Sequence, residues 1–198
     1  MTALDAPSSR LALPAAPALV CGVRQAAWLE PARGIEMLPL ALARQRLQGE
    51  MRPPVRPVVC HAKSVAARLG LSPFAAFDVL ELFAFVRPAR FVLPTPRGLA
   101  EALGLPLPAD IGREAECLIA VAGALLTELA DTADAGAAAI AAAMGVDDWP
   151  WTGPVLAALG GERARPHGRA ALEIWHALEA WQDLPPGAPP MNRPIDPA

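Results

Sequence analysis

Five side chains in this sequence have the chemistry that metal-dependent hydrolysis needs. His61 follows a short apolar run, Asp78 and Glu81 lie in a second apolar segment, and Glu114 and Glu116 belong to a long helical pattern. Carboxylates bind divalent cations, and a histidine at the end of a strand can act as a general base. The sequence assigns no catalytic residue outright, and His61, Asp78 and Glu116 are the residual candidates. The sequence places no acid beside His61 to orient it, which favours a structural role for this residue.

The segments that must position these residues alternate between strand and helix. Val58-Val59-Cys60 predicts a strand that ends at His61, followed by a small helix. A second strand is expected over residues 76–82, and a short helix over residues 98–105. Upstream, residues 18–23 predict a first strand, residues 20–30 and 34–40 a hairpin with its turn at Gly34, and residues 40–49 a helix.

The second half of the sequence is helical in pattern. Residues 111–130 repeat apolar side chains at helical spacing after a capping residue, Asp110. Residues 135–144 predict an alanine-rich helix that ends at Gly145. Residues 149–151, Trp-Pro-Trp, predict a turn, and residues 169–184 a further amphipathic helix. The sequence therefore predicts an α/β domain with a helical extension.

The order of the segments around His61 resembles that of the DnaQ-like (RNase H-fold, DEDD) 3′–5′ exonucleases. That family carries His-Asn-x-x-Phe-Asp after a strand, and here His61 matches the histidine while Ala62 replaces the asparagine. Residues 78–82, Asp-Val-Leu-Glu-Leu, match the family's next segment, and residues 99–105, Leu-Ala-Glu-Ala-Leu-Gly-Leu, match its short helix. The resemblance implies an RNase H-like mixed sheet with flanking helices.

The acids of that family are mostly absent from the matching positions. Two-metal nucleases need about four carboxylates around a pair of cations roughly 4 Å apart, because the metals activate water and stabilise the leaving oxygen. The first-strand positions hold Cys21 and Val23, and the acid that closes the histidine element would fall near Ala66. The family also takes an aspartate from a late helix, and in the corresponding stretch of this sequence the only acids are Glu114 and Glu116. The resemblance thus implies a degenerate exonuclease domain with no metal site.

Four zones organise the whole chain. Residues 1–16 predict a flexible arm, residues 17–130 the exonuclease-like α/β domain, residues 131–184 the helical extension, and residues 185–198 a proline-rich linker. This layout resembles the N-terminal region of bacterial DinG-like ATP-dependent DNA helicases. The resemblance implies a non-catalytic accessory or docking module in DNA repair or replication, with the helicase motor domains as partners in cis and DNA contacted through the parent protein.

The sequence contains no phosphate loop of the Gly-x-x-x-x-Gly-Lys-Ser/Thr type. ATP and Mg²⁺ are accordingly expected only in the motor domains of the parent protein, and no cofactor in this segment. Two alternatives stay open: a residual metal-dependent 3′–5′ exonuclease that uses Asp78, Glu81, Glu114 or Glu116, and a stand-alone interaction protein that has kept the fold.

Four tryptophans near the end of the chain offer a second kind of site. Trp149, Trp151, Trp175 and Trp181 are favoured as core residues of the helical extension, while a docking surface is the functional alternative, because aromatic side chains are enriched at interaction hot spots. Stacking of single-stranded DNA is a third interpretation. The net charge of −3 over 198 residues argues against it, since free-standing nucleic-acid binders are basic.

The remaining composition indicates a cytoplasmic protein. Cys21, Cys60 and Cys117 are widely separated and predict reduced core thiols rather than a metal site. The N-terminus lacks the basic and apolar regions of a signal peptide, and no apolar run reaches the length of about 20 residues that spans a bilayer. We therefore expect no membrane partner.

Overall fold

Five strands form one mixed sheet in the computed structural model, which describes residues 13–49, 55–132 and 135–160. The strands lie in the order β3-β2-β1-β4-β5. Their bounds are β1 Ala18–Cys21, β2 Gln25–Glu30, β3 Gly34–Pro39, β4 Val58–Val59 and β5 Phe77–Asp78.

Short turns and helical crossovers determine the strand directions. β1, β2 and β3 follow one another antiparallel, with Gly34 at φ +79° in the predicted turn between the last two. β4 lies parallel to β1, and β5 parallel to β4, so the chain crosses back through helices between them. The prediction of an α/β fold with a mixed sheet and flanking helices is confirmed at this level.

Seven helices accompany the sheet in the described residues. They are α1 Leu40–Gln48, α2 Ala62–Leu69, α3 Val79–Val86, α4 Pro96–Leu103, α5 Ile111–Thr132, α6 Ala135–Val146 and α7 Thr152–Ala158. The predicted hairpin and the helices expected at residues 40–49 and 111–130 are present, whereas the helix expected at residues 169–184 lies outside the described residues.

The helices cover the sheet on both faces. α1 and α2 pack on one face, where Leu19, Trp28 and Val59 are buried. α3 to α7 pack on the other face, around Ala18 and Val58. Apolar residues alternate between the two faces along β1, because successive side chains of a strand point to opposite sides.

α5 lies at the centre of the larger core. Its predicted apolar stripe of Leu118, Val121, Leu125 and Leu129 is buried, as helical spacing requires. An ion pair between Arg87 and Glu128 joins the end of α3 to this helix, with 2.9 Å between Nη2 and Oε2. The long helix therefore connects the sheet to the other helices of its face.

Two local predictions were wrong. The strand expected over residues 76–82 is limited to Phe77–Asp78, and Val79 begins α3. The apolar run after Asp78 buries Val79, Leu82 and Phe83, which is the i, i+3, i+4 spacing of a helical face. Gly145 does not end α6, which continues to Val146.

Gly98 in α4 offers a test of this packing. A Cβ at this position would lie 2.5 Å from Leu93 Cβ and 2.6 Å from Leu93 O, and the carbonyl belongs to backbone that cannot rotate away. We expect Gly98→Ala to lower the free energy of unfolding by about 1–3 kcal/mol through overpacking. Urea denaturation followed by circular dichroism measures the change.

Gly153 in α7 provides the matched control, because a Cβ there meets no atom within 4 Å. Gly153→Ala should leave stability unchanged or raise it by up to about 1 kcal/mol, since alanine favours a helix over glycine. Equal effects of the two substitutions would contradict the packing described for α4.

Candidate functional site

A cleft of about 250 Å³ lies at the carboxyl ends of β1 and β4. The two strands are parallel neighbours, so the residues that follow them meet at one edge of the sheet. This is the position at which open α/β sheets bind their ligands. The polar side chains that line the cleft are Ser64, Arg68, Thr95 and Glu114.

The positions at which the exonuclease resemblance expects acids carry none. Cys21 ends β1, Val23 is 85% exposed in the following turn, and Ala66 is buried within α2. Glu114 is the one carboxylate among the described residues that line the cleft. Within residues 13–49, 55–132 and 135–160, no group of three or more His, Cys, Asp or Glu side chains could hold a metal ion.

Asp78 is buried at the end of β5, and its carboxylate binds the backbone. Oδ1 accepts hydrogen bonds from the N–H of His61 at 2.9 Å and of Leu80 at 3.0 Å. Oδ2 accepts from the N–H of Ala62 at 2.6 Å. One side chain therefore caps the first turns of α2 and α3 together, and this geometry gives Asp78 a structural role.

His61 lies where β4 turns into α2. Its backbone has φ 59° and ψ 76°, in the left-handed region that few residues other than glycine adopt. The hydrogen bond from its N–H to Asp78 supports this conformation. The ring Nδ1 lies 2.6 Å from Ser64 Oγ, a contact within the first turn of the helix. Among the residues that the structure describes, the His61 ring thus has a hydroxyl partner and no carboxylate partner.

The three glutamates lie in different environments. Glu81 accepts a hydrogen bond from Trp149 Nε1 at 3.2 Å, and burial together with the Asp78 carboxylate raises its pKa. Burial also raises the pKa of Glu114 in the cleft, although nearby Arg97 acts in the opposite direction. Glu116 is ion-paired with Arg113, 2.6 Å away, and lines a different groove beside β3. The structure therefore does not bring these acids together.

Two thiols lie at the cleft, on opposite faces of the sheet. Cys21 packs towards α1 and α2, and Cys60 packs towards the larger core. Burial raises the pKa of Cys21 to about 11 and that of Cys60 to about 12. Both thiols are protonated at neutral pH, so neither is an activated nucleophile.

Trp149 and Trp151 are core residues, so they do not form the docking surface that the sequence offered as an alternative. Trp151 is fully buried, donates a hydrogen bond from Nε1 to the carbonyl oxygen of Asp78 at 2.8 Å, and packs edge-on against Phe77. Trp149 packs against Phe85 at a ring distance of 5.0 Å. Trp175 and Trp181 lie outside the described residues.

Sequence reasoning missed the polar lining of the cleft. Ser64 and Arg68 are four residues apart on α2, a spacing that places two side chains on one helical face. Thr95 Oγ1 accepts a hydrogen bond from the N–H of Gly98 and so caps α4, a role that threonine before a helix indicates in the sequence. Their convergence on one cleft depends on the sheet and could not be predicted from spacing.

Comparison of the chain with protein-family models, with curated proteins and with solved structures finds no match. In the part of the chain that the structure describes, no helix combines the length and the apolar character needed to cross a membrane. The site is therefore interpreted from its own geometry.

Replacement of Asp78 tests its structural role. In Asp78→Asn, one amide oxygen can still accept two of the backbone hydrogen bonds, but the NH₂ group faces a backbone N–H that loses its acceptor. We expect a loss of about 1–3 kcal/mol in the free energy of unfolding, the cost of an unsatisfied buried donor. Urea denaturation measures it.

Asp110 is the matched control, because its exposed carboxylate accepts one hydrogen bond from the N–H of Arg113 at the start of α5. Asparagine caps helices as well as aspartate does, so Asp110→Asn should change stability by less than about 0.5 kcal/mol. An Asp78→Asn variant with an unchanged free energy of unfolding would show that the buried carboxylate does not stabilise the fold.

Proposed function

We propose that this chain is a non-catalytic accessory module of a DinG-like ATP-dependent DNA helicase, built on a degenerate DnaQ-like exonuclease domain. In this proposal the module acts as a docking or regulatory platform in DNA repair or replication, in the cytoplasm. The motor domains of the parent protein bind ATP and Mg²⁺ and contact DNA.

The sheet topology supports the fold part of the proposal. The strand order is β3-β2-β1-β4-β5, and β2 runs against the other four strands. This arrangement is compatible with the RNase H-like fold that the sequence resemblance implies. His61, which matches the family's histidine element, also follows a strand, β4, as that element does in the family.

One observation carries the non-catalytic part of the proposal. At the positions where the resemblance implies acids, the chain carries Cys21, Val23 and Ala66, and the Asp78 carboxylate is used by three backbone N–H groups. A two-metal mechanism depends on several carboxylates that converge on the cations. Glu114 alone in the cleft does not provide that arrangement.

A nuclease assay tests this part. The purified chain is incubated with 3′-labelled single-stranded DNA and Mg²⁺ or Mn²⁺, and we expect no cleavage above the buffer background. Glu114→Gln, which removes the carboxylate of the cleft, and Glu101→Gln, which removes an exposed one on α4, form a matched pair. Cleavage that persists in Glu101→Gln and disappears in Glu114→Gln would instead establish the residual exonuclease.

The helicase part is tested by the coding sequence that follows the codon of Ala198. We expect a phosphate loop of the Walker type within about 100 residues, the length of a linker and the start of a motor domain. A stop codon at that point would overturn the helicase proposal and favour a stand-alone interaction protein. The nuclease result is independent of this outcome.

A further inference from the structure

β3 is an open edge of the sheet among the described residues. It pairs with β2 along all six of its residues on one side. On its other side, none of its backbone groups has a hydrogen-bond partner in residues 13–49, 55–132 and 135–160. Such an edge is a template for a further strand, because alternate residues direct both N–H and C=O outward.

The side chains of β3 add an apolar component to this edge. Ile35 and Met37 are 39% and 42% exposed, on the face of the sheet that α5 covers. A groove of about 440 Å³ lies beside them, and its other lining residues are Ile111 and Gly112 and the charged Asp110, Arg113 and Glu116. A strand added to β3 would therefore bury apolar side chains at alternate positions, in addition to its backbone hydrogen bonds.

Pairing of β3 with a second copy of itself is disfavoured in the two symmetric antiparallel registers of greatest overlap, which are centred on Glu36 and on Met37. One register places Glu36 directly opposite Glu36 of the other copy, and like charges in that position destabilise a sheet. The other register places Met37 opposite itself and brings Pro39, which lacks an N–H, into both ends of the ladder. The longest self-pairings of this edge are thus disfavoured, whereas a different strand meets neither obstacle.

We propose that the β3 edge binds an extended segment of another protein by strand addition. The segment carries apolar side chains at alternate positions towards Ile35 and Met37, and a basic side chain opposite Glu36. Glu36 already forms an ion pair with Arg46, 2.7 Å away, yet is half-exposed and open to a second cation. This inference uses only the strand edge and does not depend on the helicase proposal.

A labelled hexapeptide, acetyl-Lys-Val-Thr-Val-Lys-Val-amide, serves as the probe, with binding followed by fluorescence anisotropy. Two N-methylated versions distinguish strand addition from other contact: one is methylated at the second and fourth residues, the other at the third and fifth. We expect one version to lose binding and the other to retain it, because only alternate amides of an added strand face β3.

The chain itself supplies a second test. Ile35→Lys combined with Met37→Lys should weaken peptide binding at least about tenfold. Val23→Lys, at an exposed apolar residue outside β3, should leave binding unchanged. Absence of binding at peptide concentrations up to about 1 mM, or equal binding of both methylated peptides, would overturn the inference.

Discussion

The buried carboxylate of Asp78 is the interaction on which this structure most depends. It joins two parts of the chain, since it accepts hydrogen bonds from the N–H groups of His61 and Ala62 at the start of α2 and of Leu80 at the start of its own helix, α3. Helix starts leave backbone donors without partners, and burial makes each such donor costly. One side chain satisfies three of them where β4 and β5 end. These hydrogen bonds make the Asp78 carboxylate part of the scaffold at the carboxyl ends of β4 and β5.

The backbone of Asp78 extends this role to the end of the described chain. Its carbonyl oxygen accepts the indole N–H of Trp151, which allows a large polar-tipped side chain to be fully buried beside Phe77. A bidentate ion pair between Arg56 and Asp148 joins the turn between α6 and α7 to the segment that leads into β4. α6 and α7 therefore pack into the larger core on one face of the sheet, to which Trp149 and Trp151 belong.

The carboxyl end of the sheet and its lateral edge at β3 differ in chemistry. The carboxyl edge has a cleft with Arg68, Ser64 and Glu114 but no converging acids, and its thiols are protonated. The β3 edge has backbone groups without hydrogen-bond partners among the described residues, and two half-exposed apolar side chains.

Periodicity and turn chemistry in the sequence were enough to predict the hairpin at Gly34, the helix at Leu40–Gln48 and the long helix at Ile111–Thr132, because these depend on contacts within a few residues. They were not enough for residues 76–82, where an apolar run fits either a strand or a buried helix. That residues 21, 23 and 66 are not acids was also visible in the sequence, since residue identity needs no fold. Tertiary structure alone decided that Asp78 caps two helices, that Trp149 and Trp151 are buried, and that residues from α2, α4 and α5 meet in one cleft. Each of these outcomes depends on groups distant in the chain becoming neighbours, and local spacing contains no record of which ones will meet.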